Sequence, residues 1–367
     1  MDAKIMDLLS DVFAEAHLLC GSEGLFQSVF YHHARKYYSP EQIHREYSVN
    51  SGYIDFVLED EDAIHAFEIK GGANGHRNSL SKMKEMEKKG KGLAHDLKKL
   101  GEFNQLEHGK TVNTWIVCID LKSLRIAFDK KDLTGYSAMA ARQGSRLAYL
   151  SQEEAVFRIL DGNNEKQVAL NEIKSEYSKV DPMQILSKPN FWAGYFTQTR
   201  ATNGLECVHV GQFYHALREA GLGWNQCASE VFFNCNKHGT RNYYMPDFAV
   251  FGRESIGQFQ LFGDHKKIVE NDQFKLPYLT SVLEFKGGKS FQRQSIAKKK
   301  KDISADLDKL AYKMRPRIQA GTSALEILSS YAPPTYTMVV TDPDPRLSEF
   351  IEYSRDEYRD ILDIQCG

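Results

Sequence analysis

The chain has 367 residues, 26% charged and 42% apolar, with a formal net charge of −2. That length suffices for two domains of ordinary size, each burying its own core. Near-neutrality excludes a global basic field that would draw in polyanions and leaves only local patches for that role.

Six cysteines spread along the chain exclude a disulfide framework and indicate a reducing compartment. No apolar run approaches membrane-spanning length. The start, Met1-Asp2-Ala3-Lys4, leads into an amphipathic helix rather than a secretory signal. A cytoplasmic protein with no membrane partner is expected.

In chain order, apolar positions Phe26, Val29, Phe30 and Ala34 predict a helix from about Glu23 to Tyr37. Tyr53-Ile54-Asp55 lies on one apolar run, and Glu68-Ile69-Lys70-Gly71-Gly72 on the next. A lysine-rich stretch with Lys82, Lys84, Lys88, Lys89 and Lys91 follows, reading as a helix from Ser79 to Leu100 interrupted by Gly90 and Gly92. Arg77 is placed to hold a phosphate or a salt-bridge partner. An apolar strand, Thr114 to Ile119, then ends at Asp120. Between 129 and 188 a bridging segment is expected, with a helix opening at Ser151-Gln152-Glu153-Glu154 and running through Leu160, then a turn at Asp161-Gly162-Asn163-Asn164. It is too apolar for a disordered linker, so part of it is expected to pack on a domain.

The pattern then recurs. Phe30-Tyr31-His32-His33-Ala34-Arg35 parallels Phe213-Tyr214-His215-Ala216-Leu217-Arg218 at an offset that also carries Glu23 onto Glu206. Arg45-Glu46-Tyr47-Ser48-Val49 is echoed by Ser229-Glu230-Val231-Phe232-Phe233. Met245-Pro246-Asp247 precedes Glu284-Phe285-Lys286-Gly287-Gly288, with an insertion of roughly 252 to 276 between them. Arg293-Gln294-Ser295 answers Arg77-Asn78-Ser79, and Asp306-Leu307-Asp308-Lys309-Leu310 answers Asp96-Leu97-Lys98-Lys99-Leu100. The charged helix, here Ser295 to Met314 with Lys298 to Lys301 on it, is expected to stop at Arg315-Pro316. The second half closes, like the first, with an apolar strand, Thr335 to Val340, and then Asp342. So ordered a set of landmarks indicates two homologous domains. The boundaries are 1–128, a bridge at 129–188, and 189–367. Helix, strands, charged helix and strand in each half give an α/β class.

The chemistry follows from strand geometry. Residues i and i+2 share a face, so Glu68 points with Lys70, and Glu284 with Lys286, while Ile69 and Phe285 face away. An aspartate on the neighbouring strand, Asp55 or Asp247, completes two carboxylates and an amine at a sheet edge. That set suits Mg²⁺, a hard ion taking oxygen ligands, and phosphodiester hydrolysis. The lysine would orient the attacking water or stabilise charge on the phosphoryl oxygen. Lysines recurring just after each site are placed to meet backbone phosphates. Cys207, His209, Cys227, Cys235 and His238 lack zinc-ligand spacing, so ordinary buried thiols are expected. His32 and His215 are expected to pack rather than react.

At these residues the sequence resembles the PD-(D/E)xK nuclease superfamily, the restriction-endonuclease-like fold, in two tandem copies covering most of both halves. The second copy has the literal Pro246-Asp247, and the first has Ile54-Asp55. The resemblance implies two restriction-endonuclease-like domains, each a short mixed sheet flanked by helices. It implies Asp55, Glu68 and Lys70, with Asp247, Glu284 and Lys286, as catalytic residues. Glu23 and Glu206, standing where family members carry a helix glutamate, join Asp55, Glu68, Asp247 and Glu284 as metal ligands. An Mg²⁺-dependent endonuclease acting on DNA is the implied activity, Mn²⁺ substituting, with two sites cutting both strands in a restriction or host-defence role. The competing reading is a nucleic-acid-binding module, or a nuclease subunit with one or no active site that needs a protein partner. A homodimer is also open.

Overall fold

The computed structural model describes residues 3–71, 92–106, 108–120, 130–152, 154, 156–172, 178, 180–202, 204–233, 244–259, 275–324 and 332–367. The chain is α/β and divides into two compact units, Met1–Lys174 and Ser175–Gly367. Among the described residues no helix is long and apolar enough to cross a membrane.

The first unit begins with α1 (Ala3–Ala16) and α2 (Glu23–Ala34), the latter capped by the Ser22 hydroxyl accepting from the Leu25 N–H at 3.2 Å. Seven strands follow, each hydrogen-bonded to the next in chain order: β1 (Ile43–Val49), β2 (Gly52–Glu59), β3 (Ala63–Gly71), β4 (Thr111–Asp120), β5 (Ser145–Ser151), β6 (Val156–Asp161) and β7 (Asn164–Ala169). The β3–β4 and β4–β5 pairs are parallel and the other four antiparallel. Parallel neighbours need a crossover, and α3 (Leu93–Asn104) and α4 (Lys130–Arg142) lie in these two connections. Alternation along β3 sorts its two faces. Phe67 packs on Phe30 of α2, ring centres 5.0 Å apart. On the other face Ile64 and Ala66 join Ile116 and Cys118 in a core with Leu97, Leu100, Tyr136 and Ala140 of α3 and α4. That apolar row continues along β3 into Glu68 and Lys70.

The second unit contains α5 (Pro182–Leu186), α6 (Pro189–Thr202), α7 (Glu206–Glu219), β8 (Cys227–Ser229), β9 (Phe248–Phe251), β10 (Leu279–Lys286), α8 (Gly288–Gln292), α9 (Ile296–Asp308), a π-helical segment Lys309–Met314, α10 (Arg315–Ala324), β11 (Thr335–Val340), α11 (Ser348–Tyr358) and β12 (Asp363–Cys366). Its five strands pair in order β8 to β12, antiparallel twice and then parallel twice. That repeats the order and directions of β1 to β5. Phe213 of α7 packs on Phe248 and Phe285, ring centres 5.1 and 5.2 Å apart, so Phe285 faces α7 and leaves Glu284 and Lys286 on the other side.

Several expectations are revised. The 129–188 segment divides between the units: β5 to β7 extend the first sheet, and α5 belongs to the second unit. Neither half closes at its apolar strand, since β5 and β12 follow β4 and β11. The helix expected from Ser151 to Leu160 is instead the end of β5 and then β6. Pairing on both sides supplies the β6 backbone with partners and buries Phe157 against Phe13, ring centres 4.8 Å apart. The expected turn closes the β6–β7 hairpin with Gly162 at φ 62°. The helix from Glu23 ends at Ala34, short of Tyr37. Arg315-Pro316 does not stop the charged helix. The backbone widens into the π-helical segment before Pro316, which has no N–H to donate, and continues as α10.

Candidate functional site

Asp55 lies on β2 and Asp247 immediately before β9, each beside the antiparallel strand that carries the Glu-x-Lys pair. Asp55 Oδ2 accepts from the Ile69 N–H at 2.7 Å, and Asp247 Oδ2 accepts from the Phe285 N–H at 2.7 Å. Each carboxylate is thus fixed to the residue following the strand glutamate. Opposite each aspartate stands a non-glycine residue with positive φ, Glu46 at 50° and Glu230 at 52°. Arg45 pairs with Phe56 and Tyr47 with Ile54, bracketing Glu46 and Asp55, while the Glu230 N–H donates to the Asp247 carbonyl at 3.0 Å. Such φ values are uncommon outside glycine, and they recur at the one position facing each aspartate.

Glu23 and Glu206 sit in the first turns of α2 and α7. Lys70 Nζ lies 3.1 Å from Glu23 Oε1, and Lys286 Nζ lies 3.5 Å from Glu206 Oε2. In the second unit the Gly-Gly turn explains how the helix approaches. Gly288 has φ 75°, and a Cβ there would lie 2.5 Å from the Glu206 nitrogen. The Gly287 N–H donates to Glu206 Oε2 at 3.3 Å, and the Lys289 N–H to the Gly204 carbonyl at 2.8 Å. Only a residue without a side chain admits that contact.

Four further residues enter the sites, one Asp-x-x-Lys pair on each following helix. Asp96 lies 3.5 Å from Lys70 and 2.9 Å from Lys99, and Lys99 Nζ lies 2.5 Å from Glu68 Oε1. Lys99 also donates to the Tyr53 carbonyl at 2.7 Å. In the second unit Asp306 lies 2.8 Å from Lys286, while Lys309 lies 2.5 Å from Glu284 Oε1 and donates to the Met245 carbonyl at 3.5 Å. Tyr53 and Met245 each precede the strand aspartate by two residues. These pairs are visible in the sequence as one more echo of the repeat, but i, i+3 charges on a helix ordinarily read as a solvated face.

Burial sets the electrostatics. Glu68 and Glu284 are at most 2% exposed. Burial raises both carboxyls well above the ordinary range, Asp55 and Asp96 adding to it at Glu68, and Asp247 and Asp306 at Glu284. Burial and the nearby aspartates hold Glu23 and Glu206 up at about 7, against the pull of Lys70 and Lys286. Burial works against the charge of Lys70, but Asp96, Glu23, Asp55 and Glu68 outweigh it and keep the amine protonated. Lys286 is raised in the same way against burial, chiefly by Glu206 and Asp306. With every group ionised, four carboxylates against two ammonium groups leave each site two negative charges in excess. Glu68 Oε2 is buried and accepts no hydrogen bond from the described residues. An all-carboxylate donor set with an orphaned buried oxygen is the chemistry a hard divalent cation takes. Asp55, Glu68 and Glu23 would hold it in one unit and Asp247, Glu284 and Glu206 in the other, although in neither trio do the carboxylate oxygens all lie within 4.8 Å of one another.

The residues expected to contact phosphate fare differently. Arg77 and Lys82 to Lys91 lie outside the described residues, as do most of the 252–276 insertion, Cys235 and His238. Arg293 caps α8 and is exposed. Lys299 is buried and committed to Asp342 at 2.6 Å and Asp344 at 3.2 Å, because α9 turns that side chain towards the end of β11. Lys298 pairs with Asp302 one helical turn on at 3.0 Å. Cys227 is buried as expected and Cys207 half-buried, neither in a disulfide among the described residues, and the buried His209 ring meets the Thr341 hydroxyl at 2.6 Å. No known protein family, curated protein or solved structure matches the chain.

Proposed function

We propose that the chain is a divalent-cation-dependent endonuclease of the PD-(D/E)xK type, with one hydrolytic site in each unit and DNA as substrate. The carrying observation is the same six-residue constellation in both units: strand aspartate, strand Glu-x-Lys, helix glutamate, and a following Asp-x-x-Lys. A structural ion cluster need not recur with its full register; a catalytic one inherited by both halves would. The shared strand order supports the duplication behind this reading. Bound Mg²⁺ or Mn²⁺ would polarise the phosphoryl oxygen and acidify the attacking water.

The protein's own groups do the rest. Asp55 is held by the Ile69 N–H and Asp247 by the Phe285 N–H, so each carboxylate is oriented before any ligand arrives. The Lys70 and Lys286 ammonium groups stay charged and stand beside the carboxylates, placed to meet the negative charge that builds on a phosphoryl group. The Gly287-Gly288 turn brings Glu206 to the lysine it pairs with.

The test is cleavage of labelled duplex DNA, single-stranded DNA and RNA with Mg²⁺, Mn²⁺ or excess chelator. Duplex DNA is expected to be cut with metal and not with chelator. Joint Glu68→Gln and Glu284→Gln substitution is expected to slow cutting by about 100-fold or more. Metal-independent cutting, or full activity in that variant, would overturn the proposal.

A further inference from the structure

We infer that Lys99 and Lys309 are resident counter-cations that compete with a divalent metal for Glu68 and Glu284. This rests on the reading of those glutamates as metal-holding, and it concerns lysines outside the Glu-x-Lys motif. Each sits three residues after an aspartate, Asp96 on α3 and Asp306 on α9. Each ammonium lies 2.5 Å from one oxygen of the buried glutamate. Each also reaches back to the carbonyl two residues ahead of the strand aspartate, at 2.7 Å for Lys99 and 3.5 Å for Lys309. Lys309 opens the π-helical segment, a helix irregularity often associated with functional positions.

The physical consequence is antagonism. Without the two lysines, four carboxylates would face one another with only Lys70 or Lys286 between them. With them, the metal-free site is tolerable, because one oxygen of the glutamate already has a cation. A divalent ion drawing on the same carboxylate meets that ammonium as a neighbouring like charge, so each cation weakens the hold of the other. A lysine that merely buttressed the strand would do the opposite: removing it would misplace the glutamate and weaken metal binding.

The experiment measures Mn²⁺ binding to the full-length chain by calorimetry, together with melting in chelator and in saturating Mn²⁺. Wild type is compared with Lys99→Met/Lys309→Met, with Lys99→Arg/Lys309→Arg, and with Lys98→Met, whose side chain is 66% exposed. The methionine variant is expected to melt lower in chelator and to bind Mn²⁺ about tenfold or more tightly. Its gain in melting temperature from Mn²⁺ is expected to exceed that of wild type. The arginine and Lys98→Met variants are expected to stay near wild type. If the methionine variant folds only when Mn²⁺ is present, the competition is supported outright. Unchanged or weaker binding in that variant, with wild type binding normally, would overturn the competition and leave the metal site standing. No Mn²⁺ uptake by any variant would overturn the metal reading and the competition with it.

Discussion

Replacing Glu23 by glutamine tests whether the carboxylate cluster is under the charge stress that its burial implies. Burial, abetted by Asp55 and Asp96, raises Glu23 from 4.5 to about 7. A carboxyl held above its unfolded value favours the protonated form when folded. Its contribution to stability is therefore fully present below pH about 4.5 and lost as pH rises through about 7. The shift corresponds to about 3 kcal/mol, which water at the 27% exposed side chain trims to about 2 kcal/mol. For a unit of this size that is roughly 4–8 °C in melting temperature. In chelator, wild type should lose stability between pH 5 and pH 8, and Glu23→Gln, which cannot ionise, should lose about 2 kcal/mol less. Thermal melts at unit pH steps across that range measure the difference. Parallel curves for the two proteins would refute the reasoning, because other titrating groups contribute equally to both.

Three further outcomes are expected. Gly288→Ala forces a side chain into a φ of 75° and to 2.5 Å from the Glu206 nitrogen; it should cost about 2 kcal/mol or more in urea unfolding, and a change below about 0.5 kcal/mol would contradict the close approach. Lys299→Met strands the buried Asp342, while Asp344 keeps Arg346 at 2.8 Å; a loss of about 3–5 kcal/mol is expected, with part regained on adding Asp342→Asn, and additive losses would count against the pair. Glu46→Gly should be tolerated within about 1 kcal/mol, whereas Glu46→Val, β-branched at a φ of 50°, should cost about 2 kcal/mol; equal melting temperatures would show that the backbone there relaxes.

The strand-borne half of each candidate site was legible in the sequence because it depends on alternation alone. Glu68 and Lys70, two apart, face α3 while Phe67 faces α2. The helix-borne half was not. Asp96 and Lys99 carry the pattern of a solvated helix, and only the packing of α3 across the sheet buries them to 5% and 7%. Lys299 misled in the same way, since one lysine of four turns inward and the chain alone does not say which. The segment from Ser151 to Leu160 reads as a helix from its Ser-Gln-Glu-Glu opening. Pairing with strands on either side overrides that, and that information lies in β5 and β7 rather than in the segment. The repeated order of landmarks was the strongest signal, because repeated order constrains topology even where single motifs are degenerate, and the two sheets share five strands in one order.

The central claim is two working metal-dependent sites, and it is met most directly by supercoiled plasmid with Mg²⁺, wild type, Asp55→Asn, Asp247→Asn and the double variant. Asparagine keeps a carbonyl oxygen for the Ile69 or Phe285 N–H and removes the charge, so the fold is spared. Linear product from wild type, nicked circles from each single variant and intact plasmid from the double variant is the predicted result. Plasmid left supercoiled by wild type that binds both DNA and Mn²⁺, or cut as fast by the double variant, would contradict the account.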